Sequence, residues 1–214
     1  MIVAIDGPAA SGKGTVARAV ARAFGLPHLD TGLLYRAVGA TVLQRGDDPA
    51  DEAAALAGCD FAESSLAHPG LSSEDIGRAA SVVSAHPAVR ARLLDRQRAF
   101  AAQPGGAVLD GRDIATVIAP DAEVKLFVTA SPTVRARRRW EQLVGGQPDL
   151  AEATVLADIR ARDERDSGRS AAPLVRAPDA LLLDTSAIGI DEAVNRAVNA
   201  VVDRTGVAPL RPPS

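Results

Sequence analysis

The chain opens Met1-Ile2-Val3-Ala4-Ile5-Asp6-Gly7-Pro8-Ala9-Ala10-Ser11-Gly12-Lys13-Gly14-Thr15, an apolar run that breaks into glycines and ends on a lysine. Ile2 to Ile5 lack the alternation of a half-exposed strand, which suits a short strand buried on both faces of a parallel sheet. Gly7 then begins a G-x-x-x-x-G-K pattern. Glycine lets successive backbone N–H groups turn inward around a phosphate, and the helix that follows aims the positive end of its dipole at the same anion. Lys13 reaches the outer phosphates as a point charge. Gly7, Pro8, Ala9, Ala10, Ser11, Gly12, Lys13, Gly14 and Thr15 are therefore candidates for cradling a nucleotide's phosphates. The hydroxyl that meets Mg²⁺ arrives at Thr15, because Gly14 follows the lysine, and water is expected to complete much of the metal's shell.

Composition sharpens the loop. Lysine occurs only at Lys13 and Lys125, while arginine carries nearly all the positive charge. The net charge of −3 and pI of about 5.6 exclude a broad basic field for nucleic acid or anionic lipid, so any anion site is local. With 214 residues, 47% of them hydrophobic, the chain can bury the core of one domain. Cys59 is the sole cysteine and cannot form an internal disulfide. No stretch approaches the roughly 20 apolar residues of a membrane span, and no leader pattern opens the chain. A soluble, cytoplasmic protein is expected.

Hydrophobic periodicity and turn residues predict alternating strands and helices. A helix runs from Thr15 to Phe24, His28-Leu29 is a very short strand, and Thr31 is expected to cap a helix from Leu33 to about Leu43. A short alanine-rich helix and a polar loop through His68-Pro69-Gly70 fill about Ala50 to Ser73. Ser73 caps a helix with acidic first-turn residues that runs to about Ser84, and a second helix runs from Pro87 to about Phe100. Strands follow at Ala107–Leu109 and Val124–Val128. Helices then span about Pro132–Val144 and Leu150–Arg165, before a last strand at Ala180–Leu183, a last helix at Asp191–Val202, and a tail from Val207 expected to fray. Such alternation argues an α/β fold whose ligands sit at the carboxyl ends of parallel strands.

Three arginine-bearing stretches could decide what happens to the nucleotide. Arg36 stands just over one turn into the helix after the Asp30-Thr31-Gly32 turn, where it can face a second anion or be an ordinary exposed helix arginine. Asp110-Gly111-Arg112-Asp113 sits at a strand end. Asp110 can hold metal-bound water there, with Arg112 as an anion clamp and Asp113 as an acceptor; the plainer alternative is a charged Asp-Gly turn. From Arg160 to Arg169 the signs alternate. Arg162, Arg165 and Arg169 would share one helix face and Asp163 and Asp166 another, which is also the look of a solvated, salt-bridged surface. His86, Trp140 and Cys59 read as structural residues, and nothing has zinc-site spacing.

Taken together, the stretch from Ile2 to about Ala200 resembles the bacterial-type cytidylate kinases, members of the P-loop nucleoside monophosphate kinase family. The likeness is carried by Ile5 to Thr15, Leu29 to Arg36, Ala80-Ser81, Val89-Arg90, Arg96 to Phe100, Asp110 to Val117, Arg162 to Asp166 with Arg169, and Ala172-Pro173-Leu174. The resemblance implies a central parallel sheet of about five strands flanked by helices, with a mobile arginine-rich lid. It implies a single domain over residues 1–214, with a core at 1–30, 105–150 and 178–205. The monophosphate-binding region, at about 31–104, is shortened because the strand-bearing insert of many relatives is replaced by the loop around His68 to Ser73. The lid lies at about 158–172. Transfer of a phosphoryl group from ATP to CMP or dCMP is implied, with Mg²⁺ as cofactor and Lys13, Arg112, Arg162 and Arg169 catalytic. Thr31, Tyr35, Arg36, Ser81, Arg90, Arg112, Asp113, Asp166 and Arg169 would bind the acceptor, and Thr15 and Asp110 the metal through water. Ser81, Arg90 and Asp113 would read the cytosine edge. Arg36, Arg112 and Arg169 would hold phosphates, and Asp166 the sugar.

Other P-loop small-molecule kinases, acting on another monophosphate, shikimate or dephospho-coenzyme A, are the nearest alternatives, disfavoured by the Gly111-Arg112-Asp113 and Ser81 matches. A nucleotide-dependent switch would carry an [NT]-K-x-D motif, which the surroundings of Lys13 and Lys125 lack. ATP and CMP are the expected partners of a monomeric chain.

Overall fold

The computed structural model describes residues 1–211. Strand β1 (Ile2–Asp6) lies in the middle of a five-stranded sheet, flanked by β3 (Ala107–Gly111) and β4 (Val124–Thr129), with β2 (His28–Asp30) and β5 (Leu181–Asp184) at the edges. All four pairings are parallel. The pleat sends Val3 and Ile5 to one face and Ala4 to the other. Val3 and Ile5 pack with α1 (Lys13–Phe24) and α8 (Ile190–Thr205) through Val16, Val20, Val194 and Val198. Ala4 and Leu109 meet Ile114 and Ile118 on the opposite face. Aliphatic side chains of this size contribute about 1.5–3 kcal/mol each when fully buried, enough for a core with few aromatics.

The region between β2 and β3 is helical: α2 (Thr31–Arg45), α3 (Glu52–Ala57), α4 (Glu74–Val83) and α5 (Pro87–Ala101). Leu34, Val38, Val42, Val83, Val89 and Leu93 give it a small core of its own. Two 3₁₀ turns, Glu63–Ala67 and Pro69–Ser72, stand where the shortened insert was expected. Between β4 and β5, α6 (Pro132–Leu143) and α7 (Glu152–Gly168) form a hairpin. Its inner face buries Ala136, Val155 and Ile159 against Ala9 of the glycine loop.

The structure corrects the sequence reading at several points. Thr31 does not cap α2: Asp30 does, its Oδ1 accepting from Gly32 N at 2.9 Å, while Thr31 is the first helical residue and donates from Oγ1 to the Asp110 carbonyl at 2.8 Å. Both side chains can cap, and the strand pairing of Asp30 with Asp110 decides between them. Helix α7 ends at Gly168, so Arg169 is extended (ψ 143) and shares no helix face with Arg162 and Arg165. A single π-helical turn over Ile114–Ile118 was not anticipated. As far as it is described, the tail returns to α1, where the amides of Leu210 and Arg211 donate to the Ala23 carbonyl at 2.7 and 3.3 Å. Residues 212–214 of that expectation lie outside the described residues. His86, Trp140 and Cys59 are structural as read. His86 Nε2 bonds the Pro49 carbonyl at 2.9 Å, Trp140 Nε1 donates to the Leu150 carbonyl at 2.7 Å, and half-buried Cys59 points Sγ at the Ala55 carbonyl, 3.7 Å away.

The π-helical turn is fastened by Asp6, whose buried carboxylate accepts from Ile114 N and Ala115 N, both at 2.8 Å. Burial pushes its pKa up to about 6, with the Asp113 charge adding to it and the two amide bonds opposing. A carboxyl whose folded pKa is raised binds more protons folded than unfolded, so its contribution to stability falls as pH rises towards the folded value. The unfolding free energy of Asp6→Asn minus that of wild type should accordingly become more favourable to the variant by about 2 kcal/mol between about pH 4.5 and pH 7. Denaturant melts at the two pH values measure it, and a constant difference would contradict a raised pKa.

Candidate active site

The glycine loop leaves β1 at Gly7, where the backbone passes so close to β4 that a Cβ would lie 2.0 Å from the Val128 carbonyl oxygen, and φ is +156°. Only glycine fits there. Ala10 at the loop's apex holds φ 58°, a left-handed conformation uncommon for a residue with a side chain. Arg135 Nη1 donates to the Ala9 carbonyl at 3.2 Å and Thr185 Oγ1 to the Ser11 carbonyl at 3.1 Å, so both sides of the loop are tied down. Gly12 precedes α1 with no side-chain cap, which leaves the first-turn amides of that helix for an anion. Ser11 Oγ is buried without a partner in the same loop.

A second cavity lies behind the ends of β2 and β3. Asp113 and Arg90 form a buried ion pair at its wall, and Arg90 Nη1 donates to the Ser84 carbonyl at 3.1 Å. The Arg90 guanidinium also lies 5.4 Å from the Tyr35 ring centre. Arg112 Nε donates to Asp166 Oδ2 at 2.8 Å, and Arg169 Nη1 is 3.9 Å from Asp166 Oδ1. Ser81 accepts from Arg165 Nη1 at 2.6 Å. Thr31, Arg36 and Arg162 complete the wall. The structure thus brings together every residue expected at the acceptor.

Between the loop and this cavity runs a third space, bounded by Ala10 and Lys13 on one side and by Arg112 and Arg162 on the other. Arg36 lines all three. Its Nη1 donates to the carbonyls of Leu71 and Ser73 at 2.6 and 3.3 Å.

The electrostatics of this junction are those of crowded cations. Lys13 is half-buried, and loss of water, with Arg112 close by, brings its pKa down to about 8. Burial, then the neighbouring arginines, also hold Arg36, Arg162 and Arg169 below the ordinary guanidinium range. Asp166 goes the other way: burial resists its charge, but the Arg112 guanidinium outweighs that and keeps the carboxyl below its usual range. Arg162 Nε and Arg169 Nη2 are buried donors without partners. Unpaired donors beside mutually repelling cations make a site that an anion would complete.

The surroundings of Asp110 fit a divalent cation. Its Oδ2 faces the first turn of α1, 3.7 Å from where a Cβ at Gly14 would stand, and Thr15 Oγ1 lies in that same turn. Asp30 stands beside it, and burial followed by the Asp110 charge raises the Asp30 pKa. Hard oxygen donors next to a phosphate cradle suit Mg²⁺. Among the described residues no cluster of three or more His, Cys, Asp or Glu side chains could hold a metal by itself.

The sequence model of the cytidylate kinases matches residues 3–203. The chain belongs to the cytidylate kinase family. It is 60% identical over 204 residues to a protein named cytidylate kinase from Xanthobacter autotrophicus, covering 95% of this chain and 98% of that one. Like-named proteins of Azorhizobium caulinodans and Cereibacter sphaeroides are 59% and 60% identical over 206 and 199 residues, covering 95% and 93% of this chain and 98% and 94% of theirs. In fold, the chain is similar to a crystal structure of an uncharacterized protein from Eubacterium ventriosum, with a TM-score of 0.58 at 15% identity over 95% of this chain and 99% of that one. Membership of the cytidylate kinase family selects the monophosphate kinase reading over the shikimate, dephospho-coenzyme A and switch alternatives.

Sequence reasoning missed several residues that hold this candidate site together. His28 Nε2 and Asp110 Oδ1 share a 2.7 Å bond, Asp6 fastens the segment after Asp113, and Arg135 holds Asp163 through two bonds of 3.0 and 2.6 Å. Nothing local marks them, since each partner lies far away in the sequence.

Because Lys13 loses its proton above pH about 8, affinity for inorganic triphosphate should fall by up to about tenfold per pH unit beyond that point. In Lys13→Met the affinity should be weaker throughout and lack this decline. Titration calorimetry between about pH 7 and pH 9.5 reads both, and a flat wild-type profile would contradict the depressed pKa.

Proposed function

We infer that this chain transfers the γ-phosphoryl group of ATP to CMP, giving ADP and CDP, and to dCMP in the same way. The observation that carries this reading is the Arg90–Asp113 pair, buried in the wall of an arginine-lined cavity that shares Arg36, Arg112 and Arg162 with the space reaching Lys13 and Ala10 of the glycine loop. A carboxylate held in that wall accepts from the exocyclic amine of cytosine, whereas the carbonyl of uracil would meet it lone pair to lone pair. Ser81 still has its hydroxyl proton to give while accepting from Arg165, and Asp166 can take a ribose hydroxyl.

The acceptor is a phosphate oxygen that is already anionic, so the transfer needs no strong general base. It needs two negatively charged groups brought in line and their charge neutralised. Lys13 and the amides of the first turn of α1 serve the donor. Arg36, Arg112 and Arg169 serve the acceptor phosphate, and Arg162 faces the junction from α7. Mg²⁺, held by water near Asp110 and Thr15, would when bound neutralise charge on the donor's outer phosphates. The second half of α7 and the residues after it, about 158–172, act as the lid. Its closure brings Arg162 and Asp166 onto the substrates and excludes water, the wrong acceptor. No described helix is long and apolar enough to cross a membrane, and Cys59 is free. We place the reaction in the cytoplasm, carried out by a monomer as part of pyrimidine nucleotide metabolism.

A coupled ADP-release assay across CMP, dCMP, UMP, AMP and GMP tests the reading. CMP and dCMP should exceed UMP in kcat/KM by a hundredfold or so, and Asp113→Ala should shrink that ratio to about tenfold or less. Equal rates on all five monophosphates in the wild-type chain would contradict it. Arg169→Ala, by contrast, should lower turnover on every acceptor by roughly ten- to a hundredfold, with the CMP to UMP ratio preserved.

A further inference from the structure

Glu74 opens α4 and reads in the sequence as an ordinary acidic first-turn residue. In the structure it faces away from its own helix dipole role and into the junction between donor and acceptor. Its Oε1 accepts from Arg162 Nη2 at 2.6 Å, and its Oε2 accepts from Arg139 Nε and Nη2 at 3.0 and 2.8 Å. Arg139 also donates from Nη1 to Gln142 Oε1 at 3.3 Å and from Nη2 to the Ser72 carbonyl at 3.2 Å. Arg162 is held differently. It gives Glu74 one end of its guanidinium, while its Nε is buried with no partner and its side chain lines both the acceptor cavity and the junction.

One turn further along α4, Gly77 makes room for this arrangement. A Cβ there would stand 2.8 Å from Arg162 Nη2, which would have to shift, and 3.2 Å from Arg36 Nη2, a tight contact. The same helix meets α7 again where Ser81 accepts from Arg165 and Arg78 Nη1 donates to Asp158 Oδ2 at 3.3 Å. Helix α4 belongs to the monophosphate-binding side and α7 to the lid, so the Glu74 carboxylate is a tie across the two. Its charge also sets its value. Burial, then the Arg162 and Arg139 guanidiniums, lowers the proton affinity of Arg36; burial, with Arg139 adding to it, lowers that of Arg162; and the Arg162 and Arg139 guanidiniums hold the Glu74 carboxyl below its usual range despite burial.

We propose that Glu74 is a positioning residue for phosphoryl transfer: gripped by Arg139, its carboxylate holds Arg162 by one end and turns the open end of that guanidinium towards the phosphates, with Gly77 keeping the space clear. The assignment rests on the phosphotransfer reading above. Glu74 touches no reacting atom, and it acts through Arg162.

A double-mutant cycle on the full chain tests it, with ATP and CMP as substrates. Glu74→Gln should lower kcat by about tenfold or more while the KM for CMP stays within about threefold. In an Arg162→Ala background the same change should alter kcat by less than about twofold, because the residue it works through is gone. Gly77→Ala changes no charge and favours the helix, yet it should lower kcat by a similar factor with the thermal midpoint held or raised. That variant decides the matter if Glu74→Gln proves poorly folded. Wild-type turnover in both Glu74→Gln and Gly77→Ala, or equal losses from Glu74→Gln in both backgrounds, would overturn the assignment while leaving CMP phosphorylation intact. A wild-type chain without CMP-dependent ADP release would instead overturn the phosphotransfer reading, and this assignment would fall with it.

Discussion

Cations crowded into a water-poor junction are the constraint on which the rest of this structure depends. Lys13, Arg36, Arg112 and Arg162 border one small space, and Arg169 stands behind it. Without compensation such a cluster would repel itself open. The fold answers with carboxylates set in the outer wall, each bonded to an arginine from one side: Asp166 to Arg112, Asp113 to Arg90, Glu74 to Arg139 and Arg162. The compensation is incomplete by design of the geometry, since donors of Arg162 and Arg169 remain unpaired and the lysine is left with a depressed pKa. What would complete it is a pair of phosphate groups, and charge neutralisation of that kind is what in-line phosphoryl transfer requires.

The sheet order β2-β3-β1-β4-β5 makes the crowding possible. Adjacent parallel strands β1, β3 and β2 end in register at Asp6, Gly111 and Asp30–Asp110, so the glycine loop, the Arg112 turn and the start of α2 emerge side by side. From there Asp6 locks the segment after Asp113 in place from below, and Thr31 does the same to the Asp110 backbone. The helical segments inserted between β2 and β3 and between β4 and β5 then supply arginines from opposite directions, and they meet where α4 faces α7.

How much of this could be read from the chain depended on how local each signal was. The strand, the phosphate loop and the α1 start were legible because their spacing is contiguous, and the five-strand parallel sheet followed from apolar runs between helices. Arg36, Arg112 and Asp110 were suggested by their strand-end positions alone. Ser81 and Arg90 entered only through family likeness, which also aimed Asp113, already read as an acceptor at its strand end, at the cytosine edge. The alternating charges of α7 looked equally like a solvated surface, yet Arg162 and Asp166 are buried, because their partners come from α4 and from the turn after β3. Glu74 and Arg162 are 88 positions apart, His28 and Asp110 82, and Asp6 and Ile114 108. No periodicity reports contacts over such separations. The Thr31 expectation failed for a related reason, since two adjacent residues could both cap α2 and a pairing with a distant strand chose between them.

Phosphotransfer requires donor and acceptor phosphates to meet in the cation-lined junction between the glycine loop and the Arg90–Asp113 cavity. The most direct measurement is a calorimetric titration with adenosine and cytidine joined through a polyphosphate bridge. One molecule should bind per chain, at least about a hundredfold more tightly than ATP or CMP alone, because the second half binds at high effective concentration. Two molecules per chain, or an affinity no better than that of ATP, would contradict it.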